Sequence, residues 1–290
     1  MFSAADVKNL RDQTGAGMMD CKKALQETNG NMEEAITWLR EKGISKAAKK
    51  AERIAAEGLA SVTIDGNKAI VLEVNSETDF VAKNDEFKNF VSSLENSLLN
   101  SDVNTVEEAN NLVIDGMKVV DMVAAITAKI GEKISFRRFE KLEKTDDEIF
   151  GAYTHMGGKI VVATLIKGSN EELAKDIAMH TCAMRPIFID VASVPVEVIE
   201  KEKAIAREQA INEGKPEAIA EKMVEGRIKK YFKEVCLLEQ PFIKDDSLTV
   251  GKYIENNNCK LINMIRYEVG EGIEKREDNF AEEVMNQING

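Results

Sequence analysis

The stretch EVNSETDFVAKND, Glu73 to Asp85, joins two kinds of periodicity. Before it, Ala69-Ile-Val-Leu-Glu-Val74 is short, apolar and rich in β-branched residues, which predicts a buried strand. The polar run Asn75-Ser76-Glu77-Thr78 is expected to end that strand. From Asp85 to Leu99 the apolar residues recur at helical spacing. Between the two, Phe80 and Val81 stand side by side, bracketed by Asp79 and Lys83. A large aromatic at such a corner is either packed under its own sheet or presented to another molecule, and packing is the commoner arrangement.

The same pattern occurs twice. Leu59 to Ile64, Asp65-Gly66-Asn67 and Lys68 to Val74 read as a hairpin, because Asp-Gly between alternating apolar residues supplies the positive φ of a tight turn. Ile149 to His155, Met156-Gly157-Gly158 and Lys159 to Ile166 read as a second hairpin, followed by a helix from Asn170 to Ala183 that Ser169 is placed to cap, with Glu172 at the box position. Each half closes on a strand preceded by a helix, Lys133 to Leu142 in the first and Lys260 to Val269 in the second. Two copies of this order predict an α+β fold with a duplicated core of two three-stranded antiparallel sheets and helices packed on them. The halves differ at the corner after the second strand. The first spends Asn75 to Asn84 there and the second only Lys167 to Asn170, so the added length carrying Phe80 favours contact with a partner over internal packing.

Residues 1–43 read as a three-helix bundle. Ser3 with Asp6 and Asn31 with Glu34 have capping-box spacing, Thr14-Gly-Ala-Gly and Asn29-Gly30 are breaks, Ile36 and Leu39 give a buried stripe, and Gly43 is expected to end the third helix. Met18 and Met19, beside glycines, are either core residues or an exposed adaptable contact. Residues 44–58 form a helix-favouring linker, and the core halves occupy 59–145 and 146–276. The second half carries an insertion at about 194–235, read as an antiparallel coiled-coil hairpin in which Val198 and Ile205 face Ile219, Met223 and Phe232. At ~1.5 Å rise per residue its first arm reaches about 25 Å. In the segment 277–290, Phe280, Val284 and Ile288 have the spacing of a C-terminal amphipathic helix.

Composition narrows the function classes. A net charge of −12 over 290 residues argues against general binding to a phosphate backbone, so no direct nucleic-acid partner is expected. No apolar run approaches the roughly 18 residues of a membrane helix and no apolar signal core opens the chain, which predicts a cytoplasmic protein with no membrane partner. Cys21, Cys182, Cys236 and Cys259 are widely spaced and predict free buried thiols. The two histidines, His155 and His180, lack metal-ligand spacing, and His180, on the inner run Ile177 to Cys182, reads as a core histidine. Gly151 to Lys159, GAYTHMGGK, fails as a phosphate loop because Ile160 stands where a Ser or Thr is needed. Neither cofactor nor metal site is expected, and nothing in the spacing favours an enzyme.

TGAGMMDCKKAL at Thr14 to Leu25 and EVNSETDFVAKN at Glu73 to Asn84 closely resemble bacterial translation elongation factor Ts, as do KPEAIAEKMVEGRIKKY at Lys215 to Tyr231 and QPFIKDDSLTVG at Gln240 to Gly251. The resemblance covers essentially the whole chain. It implies a guanine nucleotide exchange factor for elongation factor Tu, binding that GTPase in its GDP and nucleotide-free forms. It implies a head resembling ubiquitin-associated bundles, and contacts from Thr78, Asp79, Phe80 and Val81 that displace the partner's magnesium site. Met18, Met19 and His155 are implied as further contacts. The rival reading is a non-catalytic adaptor that uses the helical head and the coiled coil.

Overall fold

The computed structural model describes residues 2–14, 16–214 and 216–274. The segment 277–290, read as a C-terminal helix, therefore lies outside the described residues. The chain opens with helices α1 (Ala4–Thr14), α2 (Met18–Glu27) and α3 (Met32–Ala48). They pack around Val7, Leu10, Cys21, Ala24, Leu25 and Ala35, edged by Phe2, Trp38 and Leu39. The Ser3 hydroxyl accepts from the Asp6 N–H while the Asp6 carboxylate accepts from the Ser3 N–H, a reciprocal cap.

Strands β1 (Glu57–Asp65) and β2 (Lys68–Ser76) follow, then the one-turn helix α4 (Asp79–Lys83), α5 (Asp85–Leu99) and α6 (Val106–Asn111). A small hairpin, β3 (Val113–Ile114) and β4 (Met117–Lys118), leads into α7 (Val119–Ile130) and β5 (Ser135–Glu143). The sheet order is β1-β2-β5. Along α5, Phe87, Phe90, Val91, Leu94, Leu98 and Leu99 form the inner stripe that the helical periodicity predicts.

Two expectations about this region are corrected. Gly43 does not end α3, which runs on to Ala48 and takes the first residues of the linker with it. The ~1 kcal/mol that glycine costs inside a helix is offset by packing of α3 against α7, where Gly43 faces Ala128. Ile36 is exposed, and Ala35 takes the bundle position expected for it. The polar run does end β2, though only at Ser76, so that Asn75 and Ser76 still belong to the strand. Both are buried strand residues, tolerated because the Asn75 amide donates to the Glu57 carbonyl and the Ser76 hydroxyl to the Thr78 carbonyl.

The second half runs β6 (Glu148–His155), β7 (Ile160–Lys167), α8 (Glu171–Met184), α9 (Val196–Asn212), α10 (Glu217–Val235), the short hairpin β8 (Pro241–Phe242) and β9 (Asp245–Thr249), α11 (Val250–Asn256) and β10 (Lys260–Glu268). β7 pairs antiparallel with both β6 and β10. α8 lies on β6, β7 and β10, and α11 packs on β10. Gly151 is required where α8 crosses β6, since a Cβ there would collide with the Ala174 carbonyl. The core is built from Ile166, Leu173, Ile177, Leu237, Phe242 and their neighbours. The cap of α8 is Asn170, whose side chain accepts from the Leu173 N–H, and not Ser169 as the spacing suggested.

The repeat extends further than its periodicity reveals. In both halves a two-stranded hairpin precedes the second helix. Each is closed by one bond into the first helical residue, Val119 N–H to the Leu112 carbonyl and Val250 N–H to the Gln240 carbonyl.

The insertion forms an antiparallel helical pair whose seam differs from the expected one. Ala206 and Ala210 on α9 face Ala220, Val224 and Ile228 on α10, with Phe232 at the edge, while Ile205 and Ile219 are exposed. Alanine on one side lets the helices approach closely, and this selects the stripe one residue on from the larger apolar side chains. The two ends of the insertion are held together, because the Ile187 and Phe188 N–H groups donate to the Val235 carbonyl and the Leu237 N–H donates to that of Phe188.

The described residues divide into two compact units, 2–59 with Leu72–Phe139 and 269–274, and Ala60–Val71 with Glu140–Glu268. No helix among the described residues is long and apolar enough to cross a membrane.

Candidate functional site

The candidate site is the corner between β2 and α5. A helix of five residues gains almost nothing from its own hydrogen bonds, so α4 has to be held from outside. Thr78 is its N-cap, yet its side chain makes no capping bond. Instead its N–H donates to Glu132 Oε2 at 2.9 Å and its hydroxyl to Glu132 Oε1 at 2.8 Å. The preceding Glu77 accepts from the Lys133 N–H and pairs with Arg53, and the Lys133 ammonium donates to the Arg53 carbonyl at 2.8 Å.

Within α4 the side chains separate by environment. Val81 and Ala82 are buried, whereas the Phe80 ring is 78 % exposed. Lys83 donates to Asp79 at 2.7 Å and its ammonium lies 5.8 Å from the Phe80 ring centre. The corner can therefore present an apolar ring from an anchored turn of backbone, flanked by a neutralised charge pair. Thr78 and Val81 support that turn from within the fold, a division the sequence alone does not reveal.

Before the corner, β2 carries a buried carboxylate. Glu73 accepts from Arg137 at 3.0 Å, Arg138 at 2.6 Å, the Asn75 amide and the Gly270 N–H. Burial pushes its pKa up, but the Gly270 N–H, the Asn75 amide and the Arg138 guanidinium outweigh burial and hold it below the usual carboxylate range. The charge pins residues 270–271, since Arg137 also donates to the Glu271 carbonyl.

The remaining candidates lie elsewhere. Met18 and Met19, on the first turn of α2, are 54 % and 74 % exposed, which settles their alternative in favour of surface. His155 ends β6, exposed, opposite Ile160 and stacked on Tyr153. Met156, Gly157 and Gly158 all have positive φ in the turn that follows. A cleft of about 320 Å³ lies among α2, α3 and α7, floored by Ile36, Leu39 and Gly43 and rimmed by the Lys46–Asp20 and Arg40–Asp121 pairs.

His180 is fully buried. The Ile243 N–H donates to its Nδ1, so Nε2 carries the proton and donates to the Gln240 side-chain oxygen at 2.9 Å. Burial lowers its pKa, and the ring is neutral at pH 7. All four cysteines are free thiols. Burial, with Glu239 and Asp190 nearby, pushes Cys236 up to about 11, so that thiol stays protonated at neutral pH. No group of three or more His, Cys, Asp or Glu side chains among the described residues could hold a metal ion.

Sequence reasoning missed Glu132, Lys133 and Arg53 as the supports of α4. Glu132 lies 54 positions from Thr78, and no local periodicity signals a bond at that separation. A family model described as Elongation factor TS matches residues 77–271, a span that takes in the corner and His155 but neither Met18 nor Met19.

Proposed function

This chain belongs to the elongation factor Ts family, and from that premise we propose that it is the guanine nucleotide exchange factor of elongation factor Tu. In this reading it works in the cytoplasm, performs no covalent chemistry, and speeds GDP release by disturbing the partner's magnesium site. The observation that carries the reading is the outward Phe80 ring on an anchored one-turn helix. An exposed aromatic on an anchored backbone loses less conformational freedom on docking than one on a mobile loop, so more of its burial goes into the complex.

Linkage sets the cycle. A factor that binds the nucleotide-free GTPase better than the GDP form weakens GDP to the same degree that GDP weakens the factor, so incoming GTP displaces it. A ten-thousandfold faster release corresponds to ~5.5 kcal/mol, whereas burying one phenylalanine supplies about 1.5 to 3 kcal/mol. Phe80 therefore acts with a broader surface. Met18 and Met19 on the head, which we take to be a bundle of the ubiquitin-associated kind, and His155 supply affinity. The α9–α10 pair, read as a two-helix coiled coil, adds a further handle. Thr78, Asp79, Phe80 and Val81 turn part of that affinity into a wedge.

The test is stopped-flow release of a fluorescent GDP from elongation factor Tu with catalytic amounts of this chain. Wild type accelerates release; Phe80→Ala keeps most of the binding but loses roughly tenfold to a hundredfold in rate. Undiminished release with Phe80→Ala would refute the wedge. No acceleration by wild type would refute exchange and leave the adaptor.

A further inference from the structure

We propose that Glu132 is a positioning residue for exchange, setting the pose of Phe80 by gripping Thr78 with both carboxylate oxygens; this rests on the exchange reading above. A neutral N-cap normally turns its side-chain oxygen to the first N–H groups of its own helix. Thr78 does not, and its hydroxyl and N–H converge on one carboxylate at 2.8 and 2.9 Å. Two parallel bonds to an anion fix orientation as well as distance, and bonds to a charged acceptor are stronger than neutral ones.

The grip belongs to a short segment shaped for it. Gly131, at φ 89°, ends α7 in the left-handed conformation and turns the chain. The next two residues then meet the corner from complementary sides. Glu132 accepts from Thr78, and the Lys133 N–H donates to the Glu77 carboxylate. The adjacent residues Glu77 and Thr78 are thus bound to the adjacent residues Lys133 and Glu132. Two residues after Thr78 comes the exposed ring, on a helix of one turn whose other support is the burial of Val81 and Ala82. Loss of the grip frees the cap of a helix too short to persist alone, and the ring then samples several poses instead of one.

The experiment compares GDP release from elongation factor Tu at saturating factor, and the concentration giving half the maximal rate, for the full chain and its variants. Glu132→Ala is expected to lower the maximal rate roughly tenfold, as for loss of a hydrogen-bond pair to a charged group, with less than a threefold change in half-saturation. Glu132→Gln, which keeps one acceptor, falls between. Thr78→Ser, which keeps the hydroxyl, is slowed less than Thr78→Val, which loses it. In a Phe80→Ala background Glu132→Ala has no further effect, because a positioning residue has nothing left to position.

An equal loss in both backgrounds would mean that Glu132 acts independently of the ring and would overturn the proposal. So would an unchanged maximal rate for both Glu132→Ala and Thr78→Val beside a slow Phe80→Ala, which leaves the exchange reading standing. Normal release by Phe80→Ala would overturn this proposal together with the wedge, while exchange itself would stand. Should Glu132→Ala not fold, Thr78→Val against Thr78→Ser decides the same question.

Discussion

Between β7 and α8 the chain turns in Gly168-Ser169-Asn170, while between β2 and α5 it takes Glu77 to Asn84 and builds a helical turn on the way. The two corners occupy the same place in the repeated unit. The short one is closed by sterics: Gly168 has φ 136°, and a Cβ there would stand 2.5 Å from Cys259 Sγ. The long one is closed by polar bonds, with Glu77 and Thr78 held by residues 132–133. A tight turn leaves no side chain to spare, whereas a longer one anchored through its polar residues can leave an apolar ring facing solvent.

The largest expected effect tests the strand that leads into the long corner. Glu73→Ala strips the counter-charge from Arg137 and Arg138 and the acceptor from the Gly270 N–H. It should cost roughly 3 to 5 kcal/mol in urea unfolding. The pH dependence has a definite sign. Because the folded-state pKa of Glu73 is depressed below 4.5, its stabilisation is complete above about pH 4.5 and is lost as pH falls through the folded value. Glu73→Gln should remove that part of the acid dependence. An unchanged acid limb would show that Glu73 does not anchor the strand.

The short corner comes next. Gly168→Ala forces an L side chain into positive φ and against Cys259, a loss of roughly 2 to 3 kcal/mol by the same measurement. A neutral outcome would erase the contrast between steric and polar closure.

In the second half His180 supplies a smaller effect. Burial keeps it neutral in the folded state while the unfolded chain takes up a proton near pH 6.5. Stability is therefore full above that pH and falls on acidification, by at most ~1.4 kcal/mol per pH unit. His180→Gln should flatten the slope between pH 5 and 7, which urea titrations at fixed pH would reveal. Phe80→Ala has the smallest effect on stability, below about 0.5 kcal/mol, since the ring has little to lose by truncation. A larger loss would mean that the long corner packs its own ring after all.

The parts legible in the sequence are those whose cause is local. Asp85 to Leu99 is helical over the residues its periodicity marks, and the hairpins turn at Gly66-Asn67 and Met156-Gly157-Gly158 because glycine and a left-handed turn are coupled within a few residues. Phe80 could be singled out by the unequal lengths of the two corners. Where distant groups decide, the sequence is silent. Asn75 stays in β2 because its amide reaches the Glu57 carbonyl, α3 passes Gly43 because it packs on α7, and the carboxylate that holds Thr78 is separated from it by 54 positions. The small hairpins before α7 and α11 are too short to show alternation. The α9–α10 seam follows alanines, which a search for large apolar residues passes over.

The ends of the α9–α10 insertion are tied together by main-chain bonds from residues 187 and 188 to Val235 and back from Leu237 to Phe188. Chain that leaves and re-enters at one knot behaves as a cassette. It can be shortened, exchanged for another helical pair or replaced by a reporter without lengthening the path between α8 and β8, and the entropy of closing the exchanged loop rises only with the logarithm of its length.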